Sequence, residues 1–95
     1  MKIITRHPGA IAWIKSKGYD GEVISQFESP DPGETYIGTL PLLMVKSIID
    51  AGGKFILLSL PAVAFSDRGA ELTPAEMELA GATLHRIKTL EMELV

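Results

Sequence analysis

The segment Lys54-Phe55-Ile56-Leu57-Leu58-Ser59-Leu60 is apolar on both of its faces. A strand of this kind has to be covered on both sides, which is the situation of an interior strand in a parallel sheet flanked by helices. The remainder of the chain supplies the cover. Lys2 to Thr5 is a short β-branched run that fits a buried strand, and Thr5-Arg6-His7-Pro8-Gly9 breaks it. From Ala10 the pattern becomes helical, with Ala10, Ile11 and Ile14 on one face, Trp13 beside them and Gly18 placed to end it. Glu22 to Phe27 reads as a second strand, Ser29-Pro30-Asp31-Pro32-Gly33 as a loop, and Thr35 to Thr39 as a third strand. Pro41 suits the first turn of a helix that carries Leu42, Met44, Val45, Ile48 and Ile49 and stops at Gly52-Gly53. Pro61 to Leu72 has no period and reads as a loop, long enough to be a candidate for function. Thr73-Pro74-Ala75-Glu76 is a helix start with a capping box, and Leu72 and Met77 sit where a hydrophobic staple would place them. The helix that follows is expected to bury Met77, Ala80, Leu84 and Ile87, with His85, Arg86 and Lys88 on it and His85 on its solvated side. The expected order is β-α-β-β-α-β-α, a mainly parallel sheet of about four strands with helices on its faces.

A chain of 95 residues makes a single domain, residues 1–95. Nine basic and twelve acidic side chains give a net charge of −3, which argues against a basic arm wrapped on duplex nucleic acid but leaves room for a small anion held by local cations. Without cysteine, disulfides and thiolate metal sites are excluded. The apolar runs are far shorter than the roughly 20 residues of a membrane span, and Arg6 interrupts the first of them before a signal-peptide core could form. The expectation is a cytoplasmic protein with no membrane partner. So short a chain rarely encloses a deep cleft, so subunits of a homo-oligomer are expected to share the site.

Ligands of such sheets gather beyond the carboxyl ends of the strands. Three segments are expected there. Thr5, Arg6, His7, Pro8 and Gly9 join a strand to a helix: the helix start favours phosphate, Arg6 can grip phosphate oxygens, and His7 can move protons near neutral pH. The alternative is a solvated turn in which Thr5 caps the helix. Gly38, Thr39 and Leu40 repeat the arrangement, with Thr39 either a phosphate ligand or a cap. Ser59 ends the apolar strand and offers a third hydroxyl, or bonds to backbone. In the long loop, Arg68 and Gly69 offer a second clamp, or Arg68 pairs with Asp67 or Glu71 at the surface. Trp13 and Tyr36 could stack on a base, although Trp13 fits a core or a dimer interface better. There is no GxGxxG or Walker A sequence, and neither histidine has a carboxylate at metal-ligand spacing, so no metal site and no cofactor are expected.

Thr5-Arg6-His7-Pro8-Gly9-Ala10 with Trp13, Ile37-Gly38-Thr39-Leu40-Pro41, and Arg68-Gly69 with Glu71-Leu72 together resemble a family of small type III CRISPR accessory proteins, those named Csx with the number sixteen. The resemblance covers essentially the whole chain. It implies a small Rossmann-like three-layer α/β fold related to the sensor (CARF-like) domains that bind cyclic oligoadenylates. It also implies a homodimer and a ring nuclease, an enzyme that destroys the cyclic oligoadenylate messenger and ends antiviral signalling. Cyclic tetra-adenylate is the expected ligand. The residues suit such a role: Arg6 and Arg68 would meet phosphate charge, His7 would move protons, and Thr5, Pro8, Gly9, Gly38, Thr39, Leu40, Ser59 and Gly69 would line the ligand.

Two other functions remain open in the sequence. A protein with the same residues could sequester the messenger without cleaving it. Histidine phosphatases place Arg-His-Gly after their first strand, but here Pro8 separates His7 from Gly9, and His85 is a poor second histidine.

Overall fold

A computed structural model describes residues 1–60 and 72–95. The strands are β1 (Lys2–Ile4), β2 (Glu22–Ile24), β3 (Thr35–Gly38), β4 (Lys54–Ser59) and β5 (Thr83–Ile87); the helices are α1 (Pro8–Ser16), α2 (Leu42–Asp50) and α3 (Pro74–Leu79). The strands form one sheet in the order β2-β1-β3-β4-β5. The first four run parallel, and β5 joins the edge antiparallel to β4, with Leu57 opposite His85. The α/β class, the mainly parallel sheet and the compatibility with a small Rossmann-like fold are as expected.

Alternation along the strands divides the interior in two. Ile3, Ile37, Ile56 and Leu58 point to one face and pack with Ala10, Trp13 and Ile14 of α1 and Met77 of α3. Ile4, Tyr36 and Phe55 point to the other and pack with Val45 and Ile48 of α2. A period of two in the strands meets a period of three to four in the helices, so each layer buries one stripe. Each fully buried aliphatic or aromatic side chain contributes about 1.5–3 kcal/mol, and both layers hold several. Trp13 is core, at 1% exposure, and its Nε1–H donates to Glu78 Oε1 at 2.8 Å. β4 is interior as its two apolar faces require, although β3 occupies the middle of the sheet.

The C-terminal third differs from the sequence reading. The expected helix through Ile87 stops at Leu79, and a fifth strand replaces its second half, so the order is β-α-β-β-α-β-α-β. Gly81 adopts φ +81°. Its N–H donates to the Glu78 carbonyl and the Ala82 N–H to the Met77 carbonyl, the two bonds of a Schellman termination. His85 and Arg86 therefore lie on a strand rather than on a helix, exposed as expected for His85. The start of α3 is as the sequence reads: Thr73 Oγ1 accepts from the Glu76 N–H, Glu76 Oε1 accepts from the Thr73 N–H, and Leu72 packs with Met77. Several boundaries also move: α1 begins at Pro8 instead of Ala10, so Pro8 and Gly9 belong to the helix, and β1 and β3 end one residue early, at Ile4 and Gly38. β2 ends at Ile24 instead of Phe27, and Pro41 is the N-cap of α2 instead of its first residue.

Candidate functional site

α1 follows β1 and covers one face of the sheet, while α2 follows β3 and covers the other. β1 and β3 are neighbours, so the chain departs from their carboxyl ends in opposite directions and leaves a crevice there. This is the switch point at which open α/β sheets bind ligands. A cleft of about 520 Å³ occupies it, lined by Thr5, Arg6 and His7 after β1, Ser25 to Glu28 after β2, and Thr39, Leu40, Pro41 and Met44 after β3.

The loop after β1 is held by its own hydroxyl. Thr5 is buried, and its Oγ1 accepts the His7 N–H at 3.3 Å. The hydroxyl thus shapes the turn instead of capping the helix, and Arg6 and His7 are carried to the exposed mouth of the cleft. His7 is the N-cap of α1 in an extended conformation, with no side-chain cap bond, and Pro8 occupies the first turn. Pro41 holds the equivalent place on α2, also without a side-chain cap, so Thr39 is not the cap and stands exposed on the cleft wall. Neither helix has an acidic residue in its first turn. Neither positive end is therefore compensated from within its helix; the N-caps His7 and Pro41 line the cleft, as does Met44 in the first turn of α2, while Pro8 and Gly9 of α1 do not.

The family model described as "Putative CRISPR-associated protein (Cas_VVA1548)" matches residues 2–90. The chain belongs to this CRISPR-associated family. No curated protein and no solved structure matches it.

In this Cas_VVA1548 family member the predicted site residues divide into three groups. Thr5, Arg6, His7, Thr39 and Leu40 share the cleft. Pro8, Gly9, Gly38 and Ser59 do not line it. The two glycines have a packing reason of their own: a Cβ on Gly9 would lie 1.7 Å from the Leu72 carbonyl oxygen, and one on Gly38 2.0 Å from that of Ile4. Gly38, at φ +143°, lets β3 close against β1 just beneath the cleft, where the Thr39 N–H donates to the Ile4 carbonyl at 3.2 Å. Arg68 and Gly69 lie outside the described residues, as does most of the Pro61 to Leu72 segment that the sequence reads as a loop. Tyr36 is as buried as Trp13, and each serves one of the two cores rather than the cleft.

Sequence reasoning missed Ser25, Gln26, Phe27 and Glu28. They were hidden because Glu22 to Phe27 reads as one strand; the polar pair Ser25-Gln26 is the signal that the strand has ended. His85 does not line the cleft, and its Nε2 lies 2.8 Å from Thr83 Oγ1 on β5. Among the described residues no three His, Asp or Glu side chains stand close enough to share a metal ion, and no helix is long and apolar enough to cross a membrane.

Proposed function

We propose that this CRISPR-associated protein binds cyclic oligoadenylate, cyclic tetra-adenylate foremost, and cleaves it as a metal-independent ring nuclease of type III systems. The observation that carries the reading is the switch-point cleft, where Arg6, His7 and Thr39 meet two uncapped helix starts. A cyclic oligoadenylate has one negative charge per linkage. Arg6 supplies charge-assisted hydrogen bonds to phosphate oxygens, and the α1 and α2 starts add positive potential beside it. Arg68, which lies outside the described residues, is the proposed second clamp.

Cleavage follows from the same groups. The ribose 2′-OH attacks the adjacent phosphorus, its O2′–P bond forms, and the P–O5′ bond breaks. His7 takes the 2′-OH proton or delivers one to the departing 5′ oxygen. Arg6 stabilises the charge that accumulates on the phosphate oxygens. The products are a 2′,3′-cyclic phosphate and a 5′-OH, and alignment of the attack accounts for much of the acceleration.

A homodimer would present Arg6, His7 and Thr39 twice about a two-fold axis, matching a ring of the same symmetry. Leu42 and Leu43, exposed at the start of α2, offer apolar surface for such pairing.

Excess protein incubated with cyclic tetra-adenylate in EDTA, followed by chromatography, tests the reading. Linear products ending in 2′,3′-cyclic phosphate are expected. Ring recovered intact but retained by the protein would make it a sponge for the messenger. Absence of both binding and cleavage would remove the proposal, and light scattering with and without ligand checks the dimer.

A further inference from the structure

The short connection after β2 lines two hollows at once. Ser25, Gln26, Phe27 and Glu28 border the switch-point cleft, and they also border a second cavity of about 520 Å³ with Lys2, Ile24, Asp31 and Tyr36. The connection is fastened at two points to one buried side chain. Phe27 packs edge-on against Tyr36, with ring centroids 5.5 Å apart at 84°, and joins the α2-side core. Further on, the Asp31 N–H donates to the Tyr36 hydroxyl at 3.0 Å, while the Asp31 carboxylate pairs with Lys2. Gln26 and Glu28 are exposed on either side of the Phe27 anchor.

Glu28 is out of keeping with a pure phosphate site. A carboxylate repels phosphate oxygens, so in a cleft that takes an oligoadenylate it must face a donor. The ring carries two kinds, the adenine amino groups and the ribose hydroxyls. Gln26 favours the base, because its amide presents a donor and an acceptor side by side, which matches the amino group and adjacent ring nitrogen of adenine. Unpaired bases are read in this manner on their Watson–Crick and Hoogsteen edges. Leu40 and Met44 supply apolar surface in the same cleft for the face of the base.

We propose that Gln26 and Glu28 are specificity-determining residues that select adenine. The inference rests on the proposed function and names the part of the ligand that this loop reads. Arg6 and the helix starts hold phosphate, whereas the loop after β2 holds the base.

Titration calorimetry with cyclic tetra-adenylate and cyclic tetra-inosinate tests it. In the second ring the amino group is replaced by a carbonyl oxygen, so a donor becomes an acceptor. The unmodified protein is expected to prefer the adenylate ring by roughly 5- to 150-fold. Glu28→Gln should erode that preference, because an amide can donate to the hypoxanthine oxygen. Gln26→Ala should weaken adenylate binding. Both residues are exposed, so melting temperatures should stay near that of the parent. Equal affinity of the parent protein for the two rings overturns the inference while leaving the proposed function standing. Full retention of the preference in Glu28→Gln, or unchanged adenylate affinity in Gln26→Ala, also overturns it. If neither ring binds the parent protein, it is the proposed function that fails, and the inference with it.

Discussion

The three helices among the described residues begin in two different ways. α3 starts with a complete capping box: Thr73 and Glu76 satisfy each other's backbone N–H groups, and the acid sits in the first turn. α1 and α2 start with His7 and Pro41, without a side-chain cap bond and without an acid in the first turn. The chain therefore neutralises the positive end of α3 internally and leaves those of α1 and α2, whose N-caps His7 and Pro41 line the switch-point cleft, without such compensation. Capping residues are readily available to any sequence and contribute about 0.5–2 kcal/mol of stability each. In the proposed function, their absence at the two helices whose N-caps line the cleft leaves anion-binding capacity for the ligand.

The comparison is most strongly tested at the residues that stand beside the uncapped ends. For the general acid or base assigned to His7, His7→Ala should lower single-turnover cleavage by roughly 10²–10⁴-fold with ligand affinity almost unchanged. A parallel fall in affinity would instead make His7 a phosphate contact. Arg6→Ala should weaken binding by roughly 10- to 150-fold, the loss of a charge-assisted hydrogen bond, as read by calorimetry. Arg6 is exposed, so its removal should leave the melting temperature in place. A variant that binds normally would show that the helix ends suffice by themselves.

A smaller effect follows from making α2 resemble α3. Met44 occupies the same position in α2 that Glu76 occupies in α3, is 39% exposed, and lines the cleft. Met44→Glu would place a negative charge at the helix start. It should lower affinity for the anionic ring by roughly two- to five-fold, with thermal stability retained or raised, because the same dipole that attracts the ligand is now partly compensated. Loss of stability together with affinity would mean that the substitution acts through packing rather than charge.

The distinction between the two kinds of helix start was half legible in the sequence. The Thr73-Pro74-Ala75-Glu76 string announces its capping box because every participant is local. The convergence of the other two starts depends on β1 and β3 being neighbours, which no local pattern states. The alternation of strand and helix was legible because both layers of core repeat at their own period. The final helix was misread for a physical reason. Leu84 and Ile87 lie on opposite faces of β5, Leu84 with the α1-side core and Ile87 with the α2-side core, and their separation of three mimics a helical stripe. Gly81 was the contrary signal, since a helix that continued through it would have needed neither its positive φ nor its Schellman bonds. That Arg6, His7 and Thr39 stand beside the cleft is legible because strand ends can be read from breakers. The placement of Gln26 and Glu28 there is not, because the only breaker directly after β2 is the polar pair Ser25-Gln26.

The smallest expected effect on the ligand comes from the capped helix. Thr73→Ala removes the side-chain half of the box at α3 and should cost about 0.5–2 kcal/mol, a fall of several degrees in melting temperature for a domain of this size, with ligand affinity unchanged. Its pH dependence gives the cause. The bonds from the Thr73 backbone N–H and then the Thr73 side chain hold the Glu76 carboxyl below its ordinary value. A carboxylate depressed in the folded state contributes stability that is present above its unfolded value and is lost as pH falls through the folded one. Thr73→Ala keeps the backbone N–H bond, the larger cause, and loses only the side-chain part, so the difference in melting temperature between parent and variant should be greatest near neutral pH and narrow in part on acidification below the ordinary glutamate range. A difference that persists undiminished in acid would assign the loss to the threonine hydroxyl alone. A change in ligand affinity would mean that α3 is coupled to the cleft, and the separation between helix ends kept for the fold and helix ends kept for the ligand would no longer hold.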